Sequence, residues 1–229
     1  MPNQRNTPAL AASHPGFDPR AVPRVLIEEV LALARRAPSG VNTQPWTVFV
    51  VQGASLAALR SAAGAVLVRL QTDASAQADF WTAFRTLPGH NAGSGPPWEQ
   101  TGAGFPEAAD AAFGAGRIGS ARDLAAYFDL QGASVALMCL IDKSLGLGSV
   151  LDYGMFLQNI VVAAQARGLC AEVQTGWRGL ADTVMPILQA GDSKLLLAAV
   201  ALGFAASAPS GEPAQAIRVP ADSFTTWHV

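Results

Sequence analysis

From Asp152 to Arg167 the chain reads DYGMFLQNIVVAAQAR, with one charge at each end and none between. A helix of that composition is apolar nearly all round and has to be buried, and in a chain of this size burial between two subunits is a natural solution. Two further runs constrain the fold in the same way. Ser134 to Ile141 and Lys194 to Phe204 are almost wholly apolar and read as fully buried strands. Strands and helices then alternate with the strands far apart in sequence, which predicts an α+β architecture with helices on a sheet.

The remaining elements follow from local pattern. Leu26, Ile27, Val30, Leu31 and Ala34 share one helical face, and Glu28 and Glu29 precede Arg35 and Arg36 as the helix dipole prefers. Trp46 to Val51 is aromatic and β-branched and reads as a strand; Ser55 to Gln71, Arg122 to Leu130 and Thr183 to Gln189 read as helices. Pro88 to Gly104 is a Gly/Pro stretch and reads as loop. Residues 1–19 form a flexible arm and 20–204 a single domain, within which 71–119 is an insert without a recognisable motif. Residues 205–229 form a Pro-containing extension outside the core.

Charged residues are 14% of the chain and hydrophobic ones 50%, too little charge to solvate a free monomer surface, so an oligomer is expected. A net charge of -2 without any Lys/Arg block argues against nucleic acid and anionic membrane as partners, and leaves small molecules. No apolar run approaches the ~20 residues that span a bilayer, and Met1 to Pro15 lacks the layout of a leader, so a cytoplasmic protein is expected. Cys139 and Cys170 read as buried free thiols, and His14, His90 and His228 fit no metal spacing. Ser39 has neither a GxSxG elbow nor an obvious His partner, which argues against a hydrolase.

The polar chemistry concentrates where the first helix stops, at Arg35-Arg36-Ala37-Pro38-Ser39-Gly40-Val41-Asn42-Thr43-Gln44-Pro45-Trp46. Pro38 forces Ala37 out of the helical region, Gly40 relieves the turn, and Asn42 and Gln44 each carry a donor and an acceptor beside unpaired backbone amides. Such a junction serves an ordinary helix-to-strand loop or a planar heterocycle with polar edges. A second pattern, Gly114-Ala115-Gly116-Arg117-Ile118-Gly119, is formally GxGxxG, with Asp142 about 20 residues on. Residues 106–113, PEAADAAF, hold no β-branched residue, so the strand that a dinucleotide fold needs there is missing.

The string APSGVNTQPW, followed by the strand Thr47 to Val51, resembles the signature of the FMN-dependent nitroreductase family. Leu151 to Asn159, running on to Arg167-Gly168-Leu169, is similar to that family's central helix. Ala201-Leu202-Gly203-Phe204 and Arg218-Val219-Pro220 look like its last strand and its Arg-x-Pro tail. The resemblance implies a nitroreductase-like fold, a central mostly antiparallel sheet flanked by helices, in an intertwined homodimer whose C-terminal extension wraps the partner and lends it a strand. It implies FMN as cofactor, NAD(P)H as reductant, and transfer of hydride to a nitroaromatic, quinone or similar acceptor. The flavin supplies the redox chemistry, so no catalytic acid is demanded.

Carried onto this chain, the resemblance puts Pro38, Ser39, Asn42 and Gln44 against the cofactor, with Ser39 and Asn42 toward the pyrimidine side or ribityl chain and Gln44 on the ring edge. It gives a loop of Gln174, Thr175 and Gly176 a backbone N–H toward flavin N5, with Val173 where the family commonly has Pro, and Trp177 beside it as a candidate to stack on the flavin. Arg218 would grip the phosphate through two charge-assisted hydrogen bonds. Ser13 is what remains of an N-terminal Arg-x-Ser-x-x-Arg-like cluster whose arginines are missing, with Arg20, His14 or Arg5 left to compensate. Tyr127 stands near the place of an Asn. These departures admit a different reading, a family member without productive FMN binding that serves as a ligand-binding or structural dimer.

Overall fold

A computed structural model describes residues 16–86, 120–206 and 220–228. In chain order its elements are β1 (Phe17–Asp18), α1 (Arg24–Ala34), β2 (Thr47–Gln52), α2 (Gly53–Leu70), α3 (Ala74–Arg85), α4 (Ala121–Phe128), β3 (Val135–Asp142), α5 (Leu147–Gln165), β4 (Cys170–Gln174), α6 (Ala181–Leu188) and β5 (Lys194–Ala205). The two apolar strands pair antiparallel at the centre, β3 against β5, with β2 beyond β3 and both β4 and β1 antiparallel to β5.

Both faces of the sheet are covered, and alternation along β3 sorts the helices. Val135, Leu137, Cys139 and Ile141 pack with Ile27, Val30 and Ala34 of α1 and Tyr153, Phe156 and Ile160 of α5. Ala136, Met138 and Leu140 pack on the other face with α2, α3, α4 and α6. Along β5 the alternation slips once. Leu140 pairs with Leu196 and Cys139 with Ala198, so Leu197 is an extra residue in a β-bulge. Before it Leu195 and Leu197 face α1 and α5; after it Val200 and Leu202 do, while Ala199 and Ala201 face the opposite layer.

Four expectations change. The central helix starts earlier, at Leu147, and is not buried all round, since Leu147, Leu151, Met155 and Val162 remain exposed. Val173 and Gln174, taken as loop, belong to β4 (Cys170–Gln174), because β5 offers it a partner edge from Ala199 to Gly203. The insert opens with α3, whose N-cap Asp73 accepts from the amides of Ser75 and Ala76 and whose Ala76, Phe80 and Phe84 are buried at helical spacing. The N-terminal arm is tied down at its end, where Phe17 and Asp18 pair with Ala205 and Phe204. In addition, α2 and α5, of 18 and 19 residues at mean hydropathy 1.3, are long and apolar enough to cross a membrane by length and composition. Their buried residues, among them Leu59 and Leu67 of α2 and Phe156 and Ile160 of α5, pack on the sheet. The GxGxxG at 114–119 lies outside the described residues.

Candidate active site

The junction after α1 folds into a strained, exposed loop. Gly40–Asn42 makes a 3-10 turn in which the amides of Asn42 and Thr43 donate to Ser39 and Gly40 carbonyls, both at 3.0 Å. Val41, Asn42 and Gln44 have φ of 47°, 59° and 47°, a left-handed backbone that non-glycine residues rarely adopt and a β-branched residue almost never. Strain of this kind persists where surrounding contacts enforce it, and such positions cluster at ligand sites. Three contacts enforce it here. The Ser39 hydroxyl accepts from the Gln44 amide at 3.0 Å, Asp152 of α5 accepts from the Gly40 amide at 3.0 Å, and Trp46 stacks on Phe156 with centroids 4.8 Å apart. Behind them the Tyr153 hydroxyl donates to the Thr47 carbonyl at 3.0 Å. Burial raises the Tyr153 pKa well above the usual phenol value, with Cys139 adding to it, so the donor stays protonated; burial pushes the Cys139 thiol up to about 12.

The second candidate segment, at the end of β4, is the reverse: buried and saturated. Gln174 has no exposed surface; its carbonyl oxygen accepts from Trp177 Nε1 at 2.9 Å and its amide donates to Glu172 at 3.2 Å. Gln131 donates to the same Glu172 oxygen at 2.8 Å. The Gly176 amide, one of the loop amides that could have faced a flavin, donates to the Tyr127 hydroxyl at 3.1 Å in a buried contact. Trp177 is not a stacking platform but core, fully buried with its ring 5.6 Å from Phe128. Arg178 lies over the Phe84 ring at 4.3 Å, and desolvation lowers its pKa.

Pro38, Ser39, Asn42 and Gln44 thus lie together on the α1/α5 face, and Gln174, Thr175 and Gly176 together beside the aromatic core of the other face. They are also separated along the sheet, because β3 and β5 stand between β2 and β4, three strand spacings or about 14 Å. Arg20 is committed to a cation–π contact, its guanidinium 3.7 Å above Phe204. Ser13 and Arg218 lie outside the described residues, as do Arg5 and His14. The contacts that sequence reasoning missed are Asp152 to Gly40, Tyr127 to Gly176 and the Gln131–Glu172–Gln174 chain.

An antiparallel sheet lies between helical layers, with a strained polar loop at the start of a strand that is at the sheet's edge among the described residues, an α+β scaffold. The Nitroreductase family profile matches residues 12–204, and the chain belongs to that family. Among characterised relatives, 4-nitrobenzoate reductase of Pseudomonas putida is 32% identical over 191 residues, covering 82% of this chain and 79% of the relative. Nitrobenzene nitroreductase of Ectopseudomonas oleovorans is 26% identical over 230 residues, covering 93% and 91%. The crystal structure of the FMN and NADPH-dependent nitroreductase NfnB from Sphigopyxis sp. strain HMH is 27% identical, covers 96% of each chain and superposes with a TM-score of 0.69. NfnB from Mycobacterium smegmatis, solved with NADPH, shares the fold at 22% identity and a TM-score of 0.66, over 95% of this chain and 94% of that one.

Proposed function

We propose that this chain is an FMN-dependent NAD(P)H oxidoreductase that reduces nitroaromatic, quinone or similar small acceptors. Family membership with reductases among the relatives supports this, and the observation in the chain itself that carries it is the strained loop at Val41 to Gln44, which exposes two carboxamides of mixed donor and acceptor character. The loop fits the polar edge of a flavin. With the Gly176 amide held by the Tyr127 hydroxyl, the N–H offered to the flavin would come from another residue of that loop. When bound, FMN passes reducing equivalents from NAD(P)H to the acceptor. The chain's own part is to bind and orient: Pro38, Ser39, Asn42 and Gln44 hold one side, Gln174, Thr175 and Gly176 another, and Ser13 and Arg218 hold the phosphate. Asp152 keeps the loop seated by binding the Gly40 amide.

The functional unit in this reading is a homodimer in the cytoplasm. Two halves of a site on opposite faces of one sheet cannot meet on a single planar ring, whereas loops from two copies can. The exposed apolar stripe Leu147, Leu151, Met155 and Val162 on α5 supplies a surface for the second copy. The outer edge of β2, unpaired among the described residues, is available to a strand lent by the partner's extension. The rival reading, a dimer without FMN, finds no support among the relatives, which are reductases. Adding FMN to purified protein should quench flavin fluorescence and allow NAD(P)H oxidation that depends on 4-nitrobenzoate. Protein that leaves FMN fluorescence unchanged at high concentration sinks the proposal. Leu151→Asp, at an exposed position, should give folded monomer by sedimentation; a persistent dimer would remove α5 from the interface.

A further inference from the structure

The turn between α4 and β3 is the second place where the backbone is strained. Leu130, Gln131 and Gly132 have φ of 56°, 53° and 82°, three left-handed residues in a row, two of them not glycine. Leu130 is fully buried, so the turn cannot relax outward. Arg60 of α2 closes it from the far side: Nε donates to the Asp129 carbonyl at 3.0 Å, Nη2 to the Ala133 carbonyl at 2.6 Å, and Nε lies 3.2 Å from the Asp129 carboxylate. One planar guanidinium therefore grips both ends of the strained turn, which the point charge of a lysine cannot do.

The segment so held touches the 172–176 segment twice. Tyr127, two residues before Asp129, accepts from the Gly176 amide, and Gln131 donates to Glu172, which also receives Gln174. Segment 127–131 is thus a template on which 172–176 is laid. We propose that Arg60 is a positioning residue: by clamping the turn Leu130–Gly132 it fixes Tyr127 and Gln131, and through them the backbone of Gln174–Gly176. That this backbone serves a flavin rests on the function proposed above; that Arg60 sets it does not.

Backbone hydrogen exchange on the full-length protein tests this without cofactor. Arg60→Met should speed exchange at residues 174–177 by about tenfold, the ratio that ~1.4 kcal/mol represents, while the amides of β3 keep wild-type protection. Arg60→Lys, able to reach one carbonyl at a time, should fall between. Gln131→Gly removes the carboxamide and the backbone strain together, so it should also speed exchange at 174–177 while leaving the unfolding temperature unchanged or raised. It tests the Gln131 link alone; should Arg60→Met fail to fold, Arg60→Lys, which keeps the charge and loses the two-carbonyl grip, decides whether Arg60 sets the segment. Wild-type exchange at 174–177 in these variants, or an increase spread equally over β3, overturns the proposal. With FMN added, the bound flavin's midpoint potential should shift in Arg60→Met and return toward wild type in Arg60→Lys. If wild type takes up no FMN, the flavin reading fails while the exchange result stands; if FMN binds and both exchange and potential are unmoved by Arg60→Met, the positioning role fails while the flavin reading stands.

Discussion

Asn42 and Gln44 sit in an exposed loop whose backbone is strained and whose side chains form no hydrogen bond among the described residues, while Gln174 sits in a buried turn where its side-chain oxygen and amide are both engaged. All three are carboxamides at a turn that contains a glycine, Gly40 in one case and Gly176 in the other. The difference lies in what surrounds them: Asp152, Ser39 and the Trp46–Phe156 stack fix the loop's backbone and leave its side chains to solvent, whereas the aromatic core closes over the turn. A polar side chain is available to a ligand when the fold has constrained its backbone and not its functional group.

The largest test of this contrast falls on the turn. A Cβ at Gly179 would stand 2.2 Å from Cε2 of Phe80, so Gly179→Ala should destabilise by about 3 kcal/mol in urea unfolding, the upper end for overpacking a core. Wild-type stability would show that the turn is not wedged against α3. Next, Gln174→Leu leaves the buried Trp177 N–H without its acceptor and should cost about 2 kcal/mol. If that variant is as stable as wild type, the network is not what secures the turn.

Effects in the exposed loop should be smaller on stability and larger on ligand. Asp152→Ala removes the acceptor of the Gly40 amide and should cost about 1 kcal/mol, because solvent replaces it there, yet weaken FMN about tenfold in a fluorescence titration. Equal FMN affinity in wild type and variant would mean that the loop does not need α5 to hold its shape. Smallest is Val41→Gly. Val41 is wholly exposed at a φ of 47°, so glycine relieves strain without losing packing and should stabilise by about 0.5–1 kcal/mol. A destabilised Val41→Gly protein would show that the valine makes a contact in the assembly that the single chain does not reveal.

Much of this was legible in the residues and some was not. The face of α1, the pairing candidates β3 and β5, and the site of the strained loop follow from period and turn chemistry, which are local. β4 was missed because CAEVQ has a single β-branched residue and becomes a strand only by pairing with β5. The α3 signal was present, an Asp73 cap followed by Ala76, Phe80 and Phe84 at steps of four, in a stretch where no motif was recognised. Burial of Trp177 and occupation of the Gly176 amide depend on Tyr127 and Phe128 arriving from α4, 49 residues earlier in the case of the hydrogen bond, and no local pattern encodes that meeting. Arg60 was invisible for the same reason.

The extra residue in β5 has a consequence for how the chain tolerates changes in length. Every residue from Leu195 to Leu202 is apolar, so the strand carries no polar marker of which side is which, and the bulge at Leu197 alone keeps the second half in phase. Deleting Leu197 would remove the bulge and leave a regular ladder, with Ala198 to Leu202 opposite the same β3 partners and on the faces they already occupy. The turnover comes instead if Leu197 is kept and the bulge is not: Val200 and Leu202 would then be driven into the layer of Trp177 and Phe128, where the small Ala199 and Ala201 now pack, while the alanines would leave voids beside α5. A homologue one residue shorter at this point can therefore keep the same order of large and small side chains on an unbulged strand, whereas one that keeps the bulge and loses a residue after it must have exchanged them.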